Sequence, residues 1–271
     1  MKPGYGKIGE DGLVFMRCFA IDFTNYKTKN MNKMKTCFFT LLALFSLTIT
    51  NAQTADEIIA KHIDAIGGKD KLSQINSVYM ESTTSVMGTD AATKTYIVNG
   101  KAYRNESDFN GQTLVQVVTD SSGWEINPFT GATSATAMAD DVYQSRAGEI
   151  YAVDPLVDYA ANGGKVELAG QEQTGDVNAY KLKYTNKYNK ETVFYIDPAT
   201  WYIIKTVSTA NVMGQEATVT STLSNYQKTD FGTAMPYALN VDMGQFALAV
   251  TVQKVEMNKT IDPTIFDMPK Q

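Results

Sequence analysis

From Ser77 to Asn258 the chain keeps a two-residue period, and one stretch alone breaks it. Runs at 77–87, 92–99, 101–109, 112–119 and 123–127 precede the break; runs at 165–173, 177–186, 191–196, 201–209, 215–226, 234–243 and 246–258 follow it. Turn pairs such as Asn99-Gly100, Asn110-Gly111, Asp197-Pro198 and Met243-Gly244 punctuate them. Successive strands with no helix between them must pair antiparallel. A sheet of about 11–12 strands must then curl or close. Phe246-Ala247-Leu248-Ala249-Val250 and Trp201-Tyr202-Ile203-Ile204 are apolar on both faces, whereas a strand with one wet face would alternate. They are covered on both sides or face a cavity: a core under helices and a ligand groove both fit.

The break lies between Asn127 and Lys165. Ala135 to Ala147 is rich in Ala, Met and charge, with Met138 and Val142 one helical turn apart. Asp154-Pro155 offers an N-cap and a first-turn proline. Leu156, Tyr159 and Ala160 share one face, and Asn162-Gly163-Gly164 supplies a stop. The spacing therefore predicts two short helices over 135–162, with Met138, Val142, Leu156 and Tyr159 facing the sheet. A second helical signal opens the domain. Thr54-Ala55-Asp56-Glu57 is a capping box, Ile59, Ile63 and Ile66 recur at helical spacing, and Gly67-Gly68 ends the run.

Upstream, Met31-Asn32-Lys33-Met34-Lys35 is basic and Cys37 to Ile49 is apolar but too short to span a membrane. Thr50-Asn51-Ala52 is a small-residue cleavage site. Residues 31–52 read as a secretory signal cut before Gln53, residues 1–30 as an upstream extension from a mistaken start, and 53–271 as one domain. Cys18 and Cys37 both precede the cut, which leaves no thiol nucleophile, thiolate ligand or disulfide. Cys37 stands at the start of the apolar core, where lipoprotein processing would not use it, so a soluble exported protein is expected.

The whole chain carries 24 basic and 29 acidic residues, net −5. Seven basic and three acidic residues precede Gln53, so the mature chain stands at −9. That balance disfavours nucleic acid and anionic membrane as partners.

Catalytic constellations are missing from the sequence. His62 is the one histidine, near the apolar face of the first helix, and without converging partners it reads as structural. Asp140-Asp141 and the Asp154, Asp158 pair fit a solvated helix face and a cap, and Asp197-Pro198 fits a turn. The inventory suggests no enzyme, no metal and no cofactor.

Several short pieces stand in order along the chain: Ile58-Ile59 through Gly67-Gly68, Lys101-Ala102-Tyr103-Arg104, Gly123-Trp124 with Asn127-Pro128-Phe129, Phe194-Tyr195-Ile196-Asp197-Pro198, and Ile261-Asp262-Pro263 with Phe266. Together they resemble the LolA-like family, and more closely the secreted outer membrane lipoprotein-sorting proteins. The resemblance implies a mainly β fold with helices: a strongly curved, unclosed antiparallel β-barrel covered by an N-terminal helix and a mid-chain helical lid. It implies a periplasmic carrier that shields acyl chains of lipoproteins or lipids, with membrane-bound donor and acceptor partners. The same fold also serves regulatory proteins that bind another envelope protein, and that alternative stays open. The motif places Arg104 as the residue that ties the lid shut. A surface pairing with Glu106 or Asp108 is the other reading of Arg104. Trp124 and Phe129 are candidates for lipid contact or for core packing, beside Met138, Val142, Leu156 and Tyr159 in the lid.

Overall fold

The computed structural model describes residues 53–212 and 215–270. The expected signal peptide and upstream extension lie outside the described residues. The chain begins with helix α1 (Ala55–Ala65), where the Thr54 hydroxyl accepts the Glu57 amide and the Glu57 carboxylate accepts the Thr54 amide, both at 3.2 Å. The predicted capping box is thus formed. Ile58, Ile59 and His62 are its buried residues. Gly67, at φ +137°, turns the chain away; a side chain there would crowd Thr233 at 3.1 Å. A single further turn, α2 (Lys69–Leu72), follows.

Thirteen strands make one sheet. They are β1 (Ser77–Val86), β2 (Thr89–Val98), β3 (Ala102–Phe109), β4 (Gln112–Thr119), β5 (Gly123–Ile126), β6 (Thr136–Ala137), β7 (Lys165–Thr174), β8 (Val177–Thr185), β9 (Glu191–Ile196), β10 (Ile203–Val212), β11 (Gln215–Lys228), β12 (Ala234–Asp242) and β13 (Ala247–Met257). Their order is β6-β5-β4-β3-β2-β1-β13-β12-β11-β10-β9-β8-β7, all antiparallel. Consecutive strands are neighbours everywhere except at β6 and β7, which form the two free edges. The first and last strands meet in the middle, Val78 opposite Met257 and Val86 opposite Leu248. The expected curved, unclosed antiparallel sheet is what forms, with β6 as a strand the sequence pattern did not announce.

One face of the sheet, called inner here, carries the helices. Val78 of β1 packs with Ile66, Leu72 and Ile75, while Leu182, Phe194, Ile196 and Ile203 pack with Ile58 and Ile59. The outer face has its own cluster: Ala102, Val115, Val117 and Trp124 lie under Phe266 of the C-terminal 3-10 turn Pro263–Phe266.

The insert between the edges departs from expectation. It contains helix α3 (Asp140–Arg146) and a 3-10 turn over Ala147–Ile150. Ala135 to Ala137 belongs to the sheet margin, not to a helix. No helix forms over 154–162, where the chain makes successive turns closed by Val157→Asp154, Asn162→Asp158 and Gly164→Tyr159 backbone bonds of 3.1, 3.1 and 2.8 Å. Two causes are visible. Asp158 sits at φ +58°, outside helical space. Adjacent Leu156 and Val157 are drawn into two different core clusters, which one helix face could not serve. A stretch this short has little intrinsic helicity to resist that pull.

Candidate ligand-binding face

The cross-strand register sorts the inner face into rows. One row runs Met80–Thr95–Asn105–Gln116–Glu125 across β1 to β5, and the next runs Ser82–Thr93–Ser107–Leu114. These two rows make a polar half of the inner face over β1–β5, bordered by the row Val78–Ile97–Tyr103–Val118, which is apolar but for the tyrosine hydroxyl. Across the β1–β13 seam the character changes. Val252 and Val250 of β13 face inward beside Ser82 and Thr84, followed by Leu248, Leu239, Val241, Leu223 and Val219. All of these but buried Val241 are half-buried, so an apolar wall remains accessible there. A bulge opposite Glu81 and Ser82 keeps both Val252 and Val255 on the inner face. Val255 and Met257 continue the wall into the packed cluster under α1 and α2.

The insert lies against this face. Its 3-10 turn contacts β3 and β4, and α3 contacts β10. Tyr143 of α3 donates to the Thr119 carbonyl at 3.4 Å and meets Tyr188 edge to face at 6.2 Å. Arg146 holds Glu149 through Nε–Oε1 at 3.1 Å and Nη2–Oε2 at 2.8 Å. Burial works against the guanidinium charge, and the Glu149 carboxylate more than offsets it.

The turns at 154–162 are anchored to α1. His62, 1% exposed, has Nδ1 at 2.7 Å from the Trp201 carbonyl and Nε2 at 3.0 Å from Asp154 Oδ2. Both partners accept, so both ring nitrogens must donate, which describes an imidazolium. Burial opposes that charge, but Asp154 and the Trp201 carbonyl raise the imidazole above its ordinary value. The same Asp154 accepts the Leu156 amide at 3.0 Å, closing a turn where a helix cap was expected. Tyr159 donates to Asp56 at 2.7 Å.

The four lid candidates divide. Leu156 is fully buried between α1 and β8–β10, and Tyr159 packs on the same cluster. Met138 rests over Gly123 and Val142 is half-buried in α3. The other three candidates fall elsewhere. Arg104 pairs across the sheet with Tyr96 and Val117, on the outer face. Its Nη1 donates to the Ile265 carbonyl at 2.7 Å and its Nε to Glu106 at 2.7 Å. The expectation that Arg104 locks the lid is thus corrected: it faces away from the insert, and of the two readings the Glu106 pairing is the one found. Trp124, 4% exposed, is core packing on that outer face, with Nε1 donating to the Phe266 carbonyl at 2.9 Å. Phe129, 58% exposed, follows β5 and meets Phe109 edge to face at 5.3 Å.

Sequence reasoning missed the half-buried wall of β11–β13 as a set, although the doubly apolar run Phe246–Val250 signalled part of it. It also placed no partner on His62. Among the described residues, a depression of about 340 Å³ is lined by Ser85, Ala249, Asn240 and Thr222, which the register puts on the outer face behind Val241 and Leu248, and one of about 290 Å³ lies between Asn99-Gly100 and Tyr151, Val153 and Val157.

No family model matches the sequence, and no curated protein matches it. Solved structures do. A DUF1329 family protein from Desulfovibrio piger aligns over 77% of this chain and 97% of its own, with 14% identity and a TM-score of 0.51. A putative outer membrane lipoprotein-sorting protein domain from Vibrio parahaemolyticus covers 78% and 95%, at 10% identity and TM-score 0.51. A LolA superfamily protein from Nitrosomonas europaea covers 80% and 98%, at 12% identity and TM-score 0.53. At such identities the likeness is one of fold: an unclosed, helix-covered antiparallel sheet of the kind found in LolA-like and lipoprotein-sorting proteins.

Proposed function

We propose that this protein is exported, with cleavage before Gln53, and binds acyl chains of a lipoprotein or lipid as a carrier rather than as an enzyme. The observation that supports it most is the half-buried wall of Val219, Leu239, Leu248, Val250 and Val252 on the insert-bearing side of the sheet. Accessible apolar area costs roughly 25 cal/mol per Å² in water, and each buried CH₂ of a ligand returns about 0.8 kcal/mol. Met138 and Val142 are the insert residues that an entering chain would displace. Leu156 and Tyr159 stay with the core and act as the fixed end of the lid. Donor and acceptor proteins at the two membranes would complete such a cycle.

The test is displacement of a neutral apolar fluorophore by palmitate. Saturable binding that palmitate reverses, and that Val250→Asp weakens by about tenfold or more, is expected. A folded protein that binds neither molecule would overturn the carrier reading. Intact mass of the exported protein should begin at Gln53.

A further inference from the structure

Resting on the acyl-binding reading, we propose that the polar half of the inner face is a head-group subsite for an amphiphile with a neutral, polyhydroxylated head. An acyl groove has no need of hydrogen-bonding groups, and buried ones are costly unless matched. Here they form a directed network. The Asn105 side-chain oxygen can only accept, so Ser107 donates to it at 3.1 Å. Thr93 must then donate to Ser107 at 3.0 Å, and Thr84 to Thr93 at 2.8 Å. Asn105 Nδ2 donates to Thr95 at 3.1 Å. Thr95, 4% exposed, has no acceptor for its own proton among the described residues.

Two positions along the same row, Gln116 spends its amide N–H on Glu125 at 3.3 Å. Gln116 Oε1 and Glu125 Oε1 make no hydrogen bond among the described residues, and neither is sealed from solvent. One row thus offers a spare donor at Thr95 and spare acceptors at Gln116 and Glu125. Strand spacing puts these over a span of ~14 Å. Ligand hydroxyls both donate and accept, and so match both ends of the row.

Charge narrows the class further. Arg146 is neutralised by Glu149. Glu125 then leaves the strip with one net negative charge, which repels phosphate and carboxylate heads. A quaternary ammonium head has no donor or acceptor to use. The apolar wall begins at the next strand, Val252 and Val250 beside Ser82 and Thr84, so head and chain of one molecule can lie on the two halves at once.

The experiment compares dodecyl maltoside, dodecyl phosphate and dodecyltrimethylammonium, each below its micelle concentration, as displacers of a neutral apolar fluorophore. The maltoside should win by about tenfold over either charged head. Gln116→Leu and Asn105→Leu should each cut that preference by about three- to tenfold while leaving fluorophore affinity unchanged. If Asn105→Leu does not fold, Gln116→Leu decides alone, since Gln116 supports no other side chain than Glu125. Equal displacement by all three heads, or a win for a charged one, overturns the head-group assignment and leaves acyl binding standing. Failure of the folded protein to bind the fluorophore at all overturns both.

Discussion

Arg104 and Ile265, 161 residues apart, are joined by a 2.7 Å hydrogen bond from a guanidinium to a backbone carbonyl. With Trp124 Nε1 on the Phe266 carbonyl, it fastens the C-terminal segment to the outer face. Arg104→Leu should cost about 1–3 kcal/mol, because the carbonyl and Glu106 lose a charged donor. Limited proteolysis should then cut near residues 261–267 first. Release of a bound acyl probe should not change; altered release would return Arg104 to the lid.

The His62–Asp154 pair makes stability depend on pH. The folded imidazole titrates above its ordinary value of 6.5. The pair therefore contributes fully below about pH 6.5, and the contribution fades as pH rises through the higher folded value. Melting temperature should fall over that alkaline range, and Asp154→Asn should flatten the profile. A melting temperature that rises from pH 6 to pH 9 would show that His62 is neutral when folded.

In the proposed lid, Leu156 belongs to the fixed end of the insert and Val142 to the part that would move. Leu156→Ala opens a hole between α1 and β8–β10 and should cost about 2–5 kcal/mol. Val142→Ala, on half-buried α3, should cost under about 1.5 kcal/mol. Denaturant midpoints measure both. Equal losses would make the insert one rigid cap.

Gly164 lies where the insert rejoins the sheet. A Cβ there would sit 2.5 Å from the Tyr184 ring and 3.1 Å from the Tyr159 carbonyl. Gly164→Ala should destabilise by about 1–3 kcal/mol through overpacking, read as a lower melting temperature. An unchanged melting temperature would mean that Tyr184 moves aside freely.

Much of this fold was legible because a strand's two faces write themselves into alternate residues, and the strands fall within a few residues of their expected limits. What failed has a common cause. Tyr103 and Arg104 are adjacent, so they point to opposite faces, and a four-residue motif cannot say which is inner. Only the register with β2 and β4 settles it. The helix expected at 154–162 failed because Leu156 and Val157 answer to different clusters. His62 was legible as a lone buried histidine, but its partners lie 92 and 139 residues away.

The meeting of first and last strands has a consequence for how the chain assembles. Strands β1 to β6 can form a meander as soon as they emerge, but β1 then presents an open ladder edge until β13 arrives. Closing that ladder joins Ser82 to Val252 across nearly the whole domain, a slow, long-range step. The insert is meanwhile a tether between the two outermost strands, not a link in the ladder. Two fragments divided within it would each hold one half of the central seam, and could reassemble into the native sheet by pairing β1 with β13.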